Sequence, residues 1–207
     1  MNSLKLIVAN REAGKTTFLL NEFEKRLEEE KTIFVLDSAT EHEDKSLIKK
    51  IEKKYNVITY NVTNPEEVIL NSGFTTFLDN FENSFPTNKI KDAKNKIICF
   101  DLAHFLERAH EALEEENNLE KYNYLRNLYR FLSLQIIFVI ILLNNYGIIN
   151  NVSILMDEIE LPIFDFEIIP KNNMEIIAAV HPENSFGTFY KRFKKINLKP
   201  FKKDVGK

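Results

Sequence analysis

The stretch Ala9–Thr16, A-N-R-E-A-G-K-T, decides the fold. It follows an apolar run, Leu4, Leu6, Ile7 and Val8, and precedes apolar residues at helical spacing, Phe18, Leu19, Leu20, Phe23 and Leu27. A strand, a tight loop and an immediate helix leave several backbone N–H groups aimed at one point, where the helix dipole also favours an anion. Gly14 allows close approach of the backbone to a phosphate, Lys15 supplies charge to β- and γ-phosphates, and the Thr16 hydroxyl suits Mg²⁺. The segment Ala9, Asn10, Arg11, Glu12, Ala13, Gly14, Lys15, Thr16 and Thr17 is therefore the expected nucleotide-binding loop, with ATP and Mg²⁺ as its ligands. Ala9 stands where such loops usually begin with glycine. Alanine avoids positive φ, so the start of this loop has to be less contorted.

The chain around this loop fits one domain: 207 residues suffice for a single substantial core. Hydrophobic residues make up 44% and charged residues 29%, a globular balance that excludes disorder as the default. A net charge of −3 argues against coating nucleic acid by bulk charge, while leaving room for local patches. Cys99 is the single cysteine, which rules out an intrachain disulfide and a thiolate zinc cage and points to a reducing, cytoplasmic setting. The N-terminus runs straight into the first strand, with no signal peptide expected. The apolar run Phe131–Leu143 is shorter than the roughly 20 residues a membrane span needs and contains Ser133 and Gln135. It is expected to be a buried helix, in the core or at a subunit interface, and no membrane span is expected.

Taken in order, the chain alternates strands and helices. A helix from Lys15 to about Glu30 is followed by a strand Thr32–Leu36 and a polar, helix-forming connector Glu41–Lys54. Tyr55–Val62 alternates as a third strand, and Asn64 with Pro65 reads as the cap and first turn of a helix. Between Gly73 and Asn95, Phe74, Phe77, Leu78, Phe81 and Phe85 suggest a helix ending before Pro86, then a basic linker. The strand Ile97–Phe100 opens into helices Ala103–Glu116 and Tyr122–Asn145, the second ended by Gly147. Strands Val152–Met156 and Met174–Val180 follow, separated by a short hairpin or excursion over Pro162–Pro170. A final helix Gly187–Lys195 is expected to lead into a basic tail. The expected fold is α/β, a mainly parallel central sheet flanked by helices, with one domain over residues 1–196 and the tail over 197–207.

A phosphate loop needs a carboxylate to hold the metal, and hydrolysis needs a second group to orient water; both belong at the C-terminal edge of a parallel sheet. V-S-I-L-M-D-E supplies the pair: Asp157 for Mg²⁺, through water, and Glu158 to polarise the attacking water. The rival Asp101, at the end of I-I-C-F-D, is followed by Leu102 and reads as the cap of the next helix. His181, at the end of I-I-A-A-V-H, is either a polar sensor of the γ-phosphate or a cap at the turn before Pro182. The catalytic set is thus Glu158, Lys15 and His181, and the metal set Thr16 and Asp157.

These motifs in this order, A-N-R-E-A-G-K-T, I-I-C-F-D-L, I-L-M-D-E-I-E-L-P and I-I-A-A-V-H-P, resemble the FtsK/HerA-type branch of P-loop ATPases. That branch includes DNA translocases, conjugation ATPases and compact viral genome-packaging ATPases, and the size of this chain looks most like the last. The family typically has Gln where this chain has His181, and Gly where it has Ala9. The resemblance implies a P-loop NTPase of the RecA-like, ASCE type and an ATP-hydrolysing motor that translocates or packages double-stranded DNA. It also implies a homo-oligomeric ring, pentamer or hexamer, with nucleotide at the interfaces completed by a neighbour's arginine. A viral origin would place it in the host cytoplasm or with the virion. Of the six arginines, Arg108, Arg126, Arg130 and Arg192 lie outside the first strand–helix unit. Lys191–Lys207 holds eight basic residues and one acid, Asp204, and is either a contact for nucleic acid phosphates or a solvated tail. Two other functions fit the same loop: a small-molecule P-loop kinase using Asp37 to hold its acceptor, and a nucleotide-binding scaffold without turnover.

Overall fold

The computed structural model describes residues 3–10, 13–38, 46–61, 97–161, 173–182 and 193–198. In chain order the elements are β1 (Ser3–Val8), α1 (Lys15–Glu28), β2 (Thr32–Asp37), α2 (Leu47–Glu52), β3 (Ile58–Asn61) and β4 (Ile97–Asp101), then α3 (Ala103–Glu114), α4 (Leu119–Asn145), β5 (Val152–Asp157), β6 (Met174–Val180) and β7 (Lys194–Asn197). The strands form one sheet in the order β3-β4-β2-β5-β6-β1-β7. Every neighbouring pair is parallel.

Helices cover both faces, which is why the central strands read as continuous apolar runs rather than alternating ones. In β2 the alternation is between two cores. Ile33 and Val35 join Leu19 and Phe23 of α1 and Leu47, Ile48 and Ile51 of α2. Phe34 and Leu36 join Phe105 of α3 and Ile136, Ile137 and Ile140 of α4. Tyr55, expected within the third strand, instead follows α2 and packs its ring on Phe23, with centroids 5.3 Å apart.

α4 runs 27 residues, about 40 Å at helical rise, from the Asn118 cap, whose side chain accepts from Lys121 N. It stops where Gly147 takes φ 72, letting the N–H groups of Gly147 and Ile148 close on Asn144 O and Leu143 O. The helix is long and apolar enough to cross a bilayer by length and composition, yet 61% of its apolar window is buried within the protein. That is how a core helix packs. Burial is not complete all round, however: Phe131 is 43% exposed on the outer side.

The last element differs from the expected helix. From Lys194 the chain is a strand paired with β1, in the register Lys5↔Lys194 and Ile7↔Ile196. Long-range pairing wins here because Phe193 is buried and Ile196 and Leu198 pack on the α1 side, while Lys194 and Lys195 stay in water and blunt an edge strand. The boundary between domain and tail set after residue 196 therefore falls inside β7. The helices read at 65–95, the connection 162–170 and the first part of the 187–195 helix lie outside the described residues, as does the tail beyond 198.

Candidate functional site

Because the strands are parallel, their C-terminal ends make a single edge, and the candidate site residues gather there. β6 lies between β1, which delivers the phosphate-type loop, and β5, which ends in Asp157. Loop strand and acid strand are therefore two strand spacings apart, about 10 Å.

The start of the loop explains Ala9. It lacks the positive φ that only glycine adopts freely, and its N–H donates to Val180 O at 3.3 Å, continuing the ladder with β6. The turn comes later: Ala13 N donates to Asn10 O at 3.3 Å, and Gly14, at φ 83, takes the left-handed conformation directly ahead of α1. No side chain caps α1 at Gly14, so its first N–H groups face the loop. Thr17 is exposed. Arg11 and Glu12 lie outside the described residues.

Two contacts join the loop to the acids 141 and more residues away. The Thr16 hydroxyl donates to Asp157 Oδ2 at 2.8 Å. The Lys15 ammonium is buried, donates to Ala9 O at 2.8 Å and Asn10 O at 3.2 Å, and pairs with Glu158 Oε1 at 2.7 Å. The structure thus brings Ala9, Asn10, Lys15, Thr16, Asp157 and Glu158 together. His181, half-buried, follows the strand between β1 and β5 and so stands beside this group.

Asp157 is almost fully buried, and its Oδ1 has no hydrogen-bond partner among the described residues. Burial, then the charges of Asp37 and Glu158, push its carboxyl up to about 8 against the opposing Thr16 hydroxyl and Lys15 charge. A buried carboxylate oxygen without a donor beside a hydroxyl is a hard-oxygen site that suits Mg²⁺, which needs only one or two protein oxygens and otherwise keeps water and phosphate. No group of three His, Cys, Asp or Glu forms a closed metal cage among the described residues.

The sign of the Asp157 shift makes a stability prediction. The folded chain keeps this proton up to about pH 8, whereas the unfolded chain releases it near the ordinary value of 3.8. The group therefore costs stability progressively as pH rises across that interval. In EDTA, Asp157→Asn is expected to melt above wild type at pH 8, with the gap closing towards pH 4. A gap that widens on acidification refutes this account.

Glu158 sits at φ 57, a left-handed conformation that costs a non-glycine residue on the order of 1–2 kcal/mol. Its N–H donates to Ala179 O at 2.9 Å and its carbonyl accepts from Ser38 Oγ at 3.0 Å. Neither neighbour is legible in the local sequence, since Ala179 lies in β6 and Ser38 directly follows β2. Asp101 does what a cap does: its Oδ1 accepts from Ala103 N at 3.1 Å. Asp37, in register with both Asp101 and Asp157, is buried and accepts from Ser46 Oγ at 2.7 Å and Ile48 N at 3.0 Å, tying β2 to the start of α2.

Two of the four arginines considered for an interface role, Arg126 and Arg130, close on Glu160 instead. Arg108 is half-buried on α3, and Arg192 lies outside the described residues. Glu160 itself escaped sequence reading: the i,i+4 spacing of the arginines on α4 was visible, but their partner is 30 and more residues away. The chain matches no protein-family model, no curated protein and no solved structure.

Proposed function

We propose that the protein is a Mg²⁺-dependent P-loop ATPase of the RecA-like, ASCE type, resembling FtsK/HerA motors, that translocates or packages DNA as a homo-oligomeric ring. The observation that carries the hydrolytic reading is the double link of loop to acid pair, Thr16 to Asp157 and Lys15 to Glu158. A loop that merely held a phosphate has no need of a distant, strained carboxylate on its lysine.

The residues divide the chemistry between them. Backbone N–H groups at the start of α1 and the Lys15 ammonium bind the β- and γ-phosphates. Thr16 and Asp157 would hold Mg²⁺, which would supply neutralisation of the charge developing between those phosphates. Glu158, turned towards the loop by its left-handed backbone, accepts a hydrogen bond from water and orients it for in-line attack on the γ-phosphorus. His181, which follows β6 beside the loop, would in this reading donate a hydrogen bond towards the γ-phosphate. A kinase reading is less well supported, because the acid that would hold an acceptor, Asp37, already accepts from Ser46 and Ile48 N.

The deciding experiment is the ATP hydrolysis rate with and without double-stranded DNA on material of measured subunit number. DNA-stimulated turnover by an oligomer is expected. A phosphorylated small-molecule product would point to a kinase, and tight ATP binding without turnover in any assembly state to a scaffold. Lys15→Ala is expected to weaken ATP binding about 10- to 100-fold, the worth of a charged hydrogen bond of about 1.5–3 kcal/mol, in a fluorescent-nucleotide titration. Unchanged affinity would mean that the loop does not hold the phosphates.

A further inference from the structure

Directly after Glu158 the chain is gripped from the opposite layer of the fold. Ile159 is fully buried in the core under α4. Glu160, mostly buried, then receives four N–H bonds from two arginines one helical turn apart. Arg126 Nε donates to Oε2 at 3.0 Å and Nη2 to Oε1 at 2.9 Å. Arg130 Nε and Nη2 both donate to Oε2, at 3.1 and 2.8 Å. Arg126 is held in turn by Tyr122, whose hydroxyl accepts from Nη1 at 2.9 Å and whose ring lies 5.8 Å from the guanidinium carbon. The backbone is tied as well: Glu160 N donates to the hydroxyl of the fully buried Tyr129 at 3.2 Å.

These bonds lie two residues from a left-handed non-glycine residue. Such a conformation persists only where its surroundings over-determine it. On the β2 and β6 side, Glu158 is held by Ser38 and Ala179; on the α4 side, the next two residues are held by the burial of Ile159 and by the bonds on Glu160. We propose that Glu160, clamped by Arg126 and Arg130, is a positioning residue that holds Glu158 in its left-handed conformation and so keeps its carboxylate at the phosphate loop. In its catalytic half this rests on the ATPase reading above; in its structural half it does not.

A bidentate carboxylate–guanidinium pair fixes direction as well as distance, which a point charge does not. The clamp therefore transmits geometry from a partly exposed helix face to the acid pair. Supporting groups of this kind typically alter activity 10- to 100-fold when removed.

The test uses the full chain and two readouts. Glu160→Gln is expected to speed hydrogen exchange at the Glu158 amide by about tenfold or more while leaving the β5 and β6 amides of Leu155 and Ile177 as in wild type. ATP turnover is expected to fall about tenfold or more with nucleotide affinity within about threefold. Should Glu160→Gln not fold, the double variant Arg126→Lys/Arg130→Lys retains both charges without the forked geometry and is expected to give the same pattern. The proposal is overturned if the Glu158 amide exchanges as in wild type, or if Leu155 and Ile177 accelerate equally, which is general destabilisation. A wild-type protein without ATP turnover removes the ATPase reading alone, because amide exchange still decides the clamp.

Discussion

Replacing Glu158 by Gln is expected to lower ATP turnover by about 10²- to 10³-fold while leaving ATP affinity intact, since the loss is of a group acting in the transition state. Gln keeps the length of the side chain and the two backbone bonds, Glu158 N to Ala179 O and Ser38 Oγ to the Glu158 carbonyl. It removes the charge that pairs with Lys15 and that would accept from water. With Lys15 released from a 2.7 Å ion pair, its ammonium is at least as free to meet phosphate, so binding is not expected to weaken. Steady-state phosphate release and a fluorescent-nucleotide titration separate the two quantities. Turnover within a few-fold of wild type would remove Glu158 from the catalytic role. Glu158→Gly is a useful companion: at φ 57 glycine is unstrained, so that variant should be catalytically dead without being thermally weakened by backbone strain.

The second large effect lies at the other end of the sheet. Arg26→Ala is expected to destabilise the fold by about 3–5 kcal/mol, the range for removing one partner from a buried ionic cluster. Arg26 is 2% exposed and is held by Glu22 of its own helix at 2.9 Å and by Glu175 at the start of β6 at 2.9 Å. Lys5 pairs with Glu22 and Lys31 with Glu175, so the cluster fastens α1 to the strand between the loop and the acids. Truncation leaves two partly buried carboxylates short of a cation, together with the space of the largest fully buried side chain among the described residues. Urea denaturation measures the loss, and an effect below about 1 kcal/mol would place Arg26 among ordinary surface pairs.

The same cluster sets an acid limb. Although burial raises the Glu175 carboxyl, the bonds and charges of Lys31 and Arg26 outweigh it and hold the group below its ordinary value. A depressed carboxyl contributes stability that is present above the ordinary value of 4.5 and is lost as pH falls through the folded one. The Arg26→Ala penalty should therefore shrink below about pH 4.

Much of the architecture is legible in the one-dimensional pattern, for reasons particular to each element. β2, β5 and β6 read correctly because strands buried on both faces are short apolar runs ended by a polar residue, and those ends, Asp37, Asp157 and His181, mark the C-terminal edge of the sheet. α1 and α4 read correctly because their apolar spacing is helical and long. β3 reads only in part, as its first residues belong to the turn after α2. β7 is misread because K-K-I-N has no local signature of its own, and only pairing with β1 makes it a strand.

For the site, the sequence by itself picked out Gly14, Lys15, Thr16, Asp157 and Glu158 as candidates, because a G-K-T turn ahead of a helix and an acid pair ending a strand are local patterns with local causes. It also determined that Asp101 caps a helix, since the acceptor and the N–H it serves are two residues apart. Only the tertiary structure decided that Lys15 and Thr16 meet Glu158 and Asp157, that Ser38 and Glu160 hold the acid loop, and that Arg126 and Arg130 face inward to a carboxylate. Those contacts join residues as far apart as Lys15 and Glu158 across a parallel sheet, and no local spacing encodes which strand ends will lie side by side.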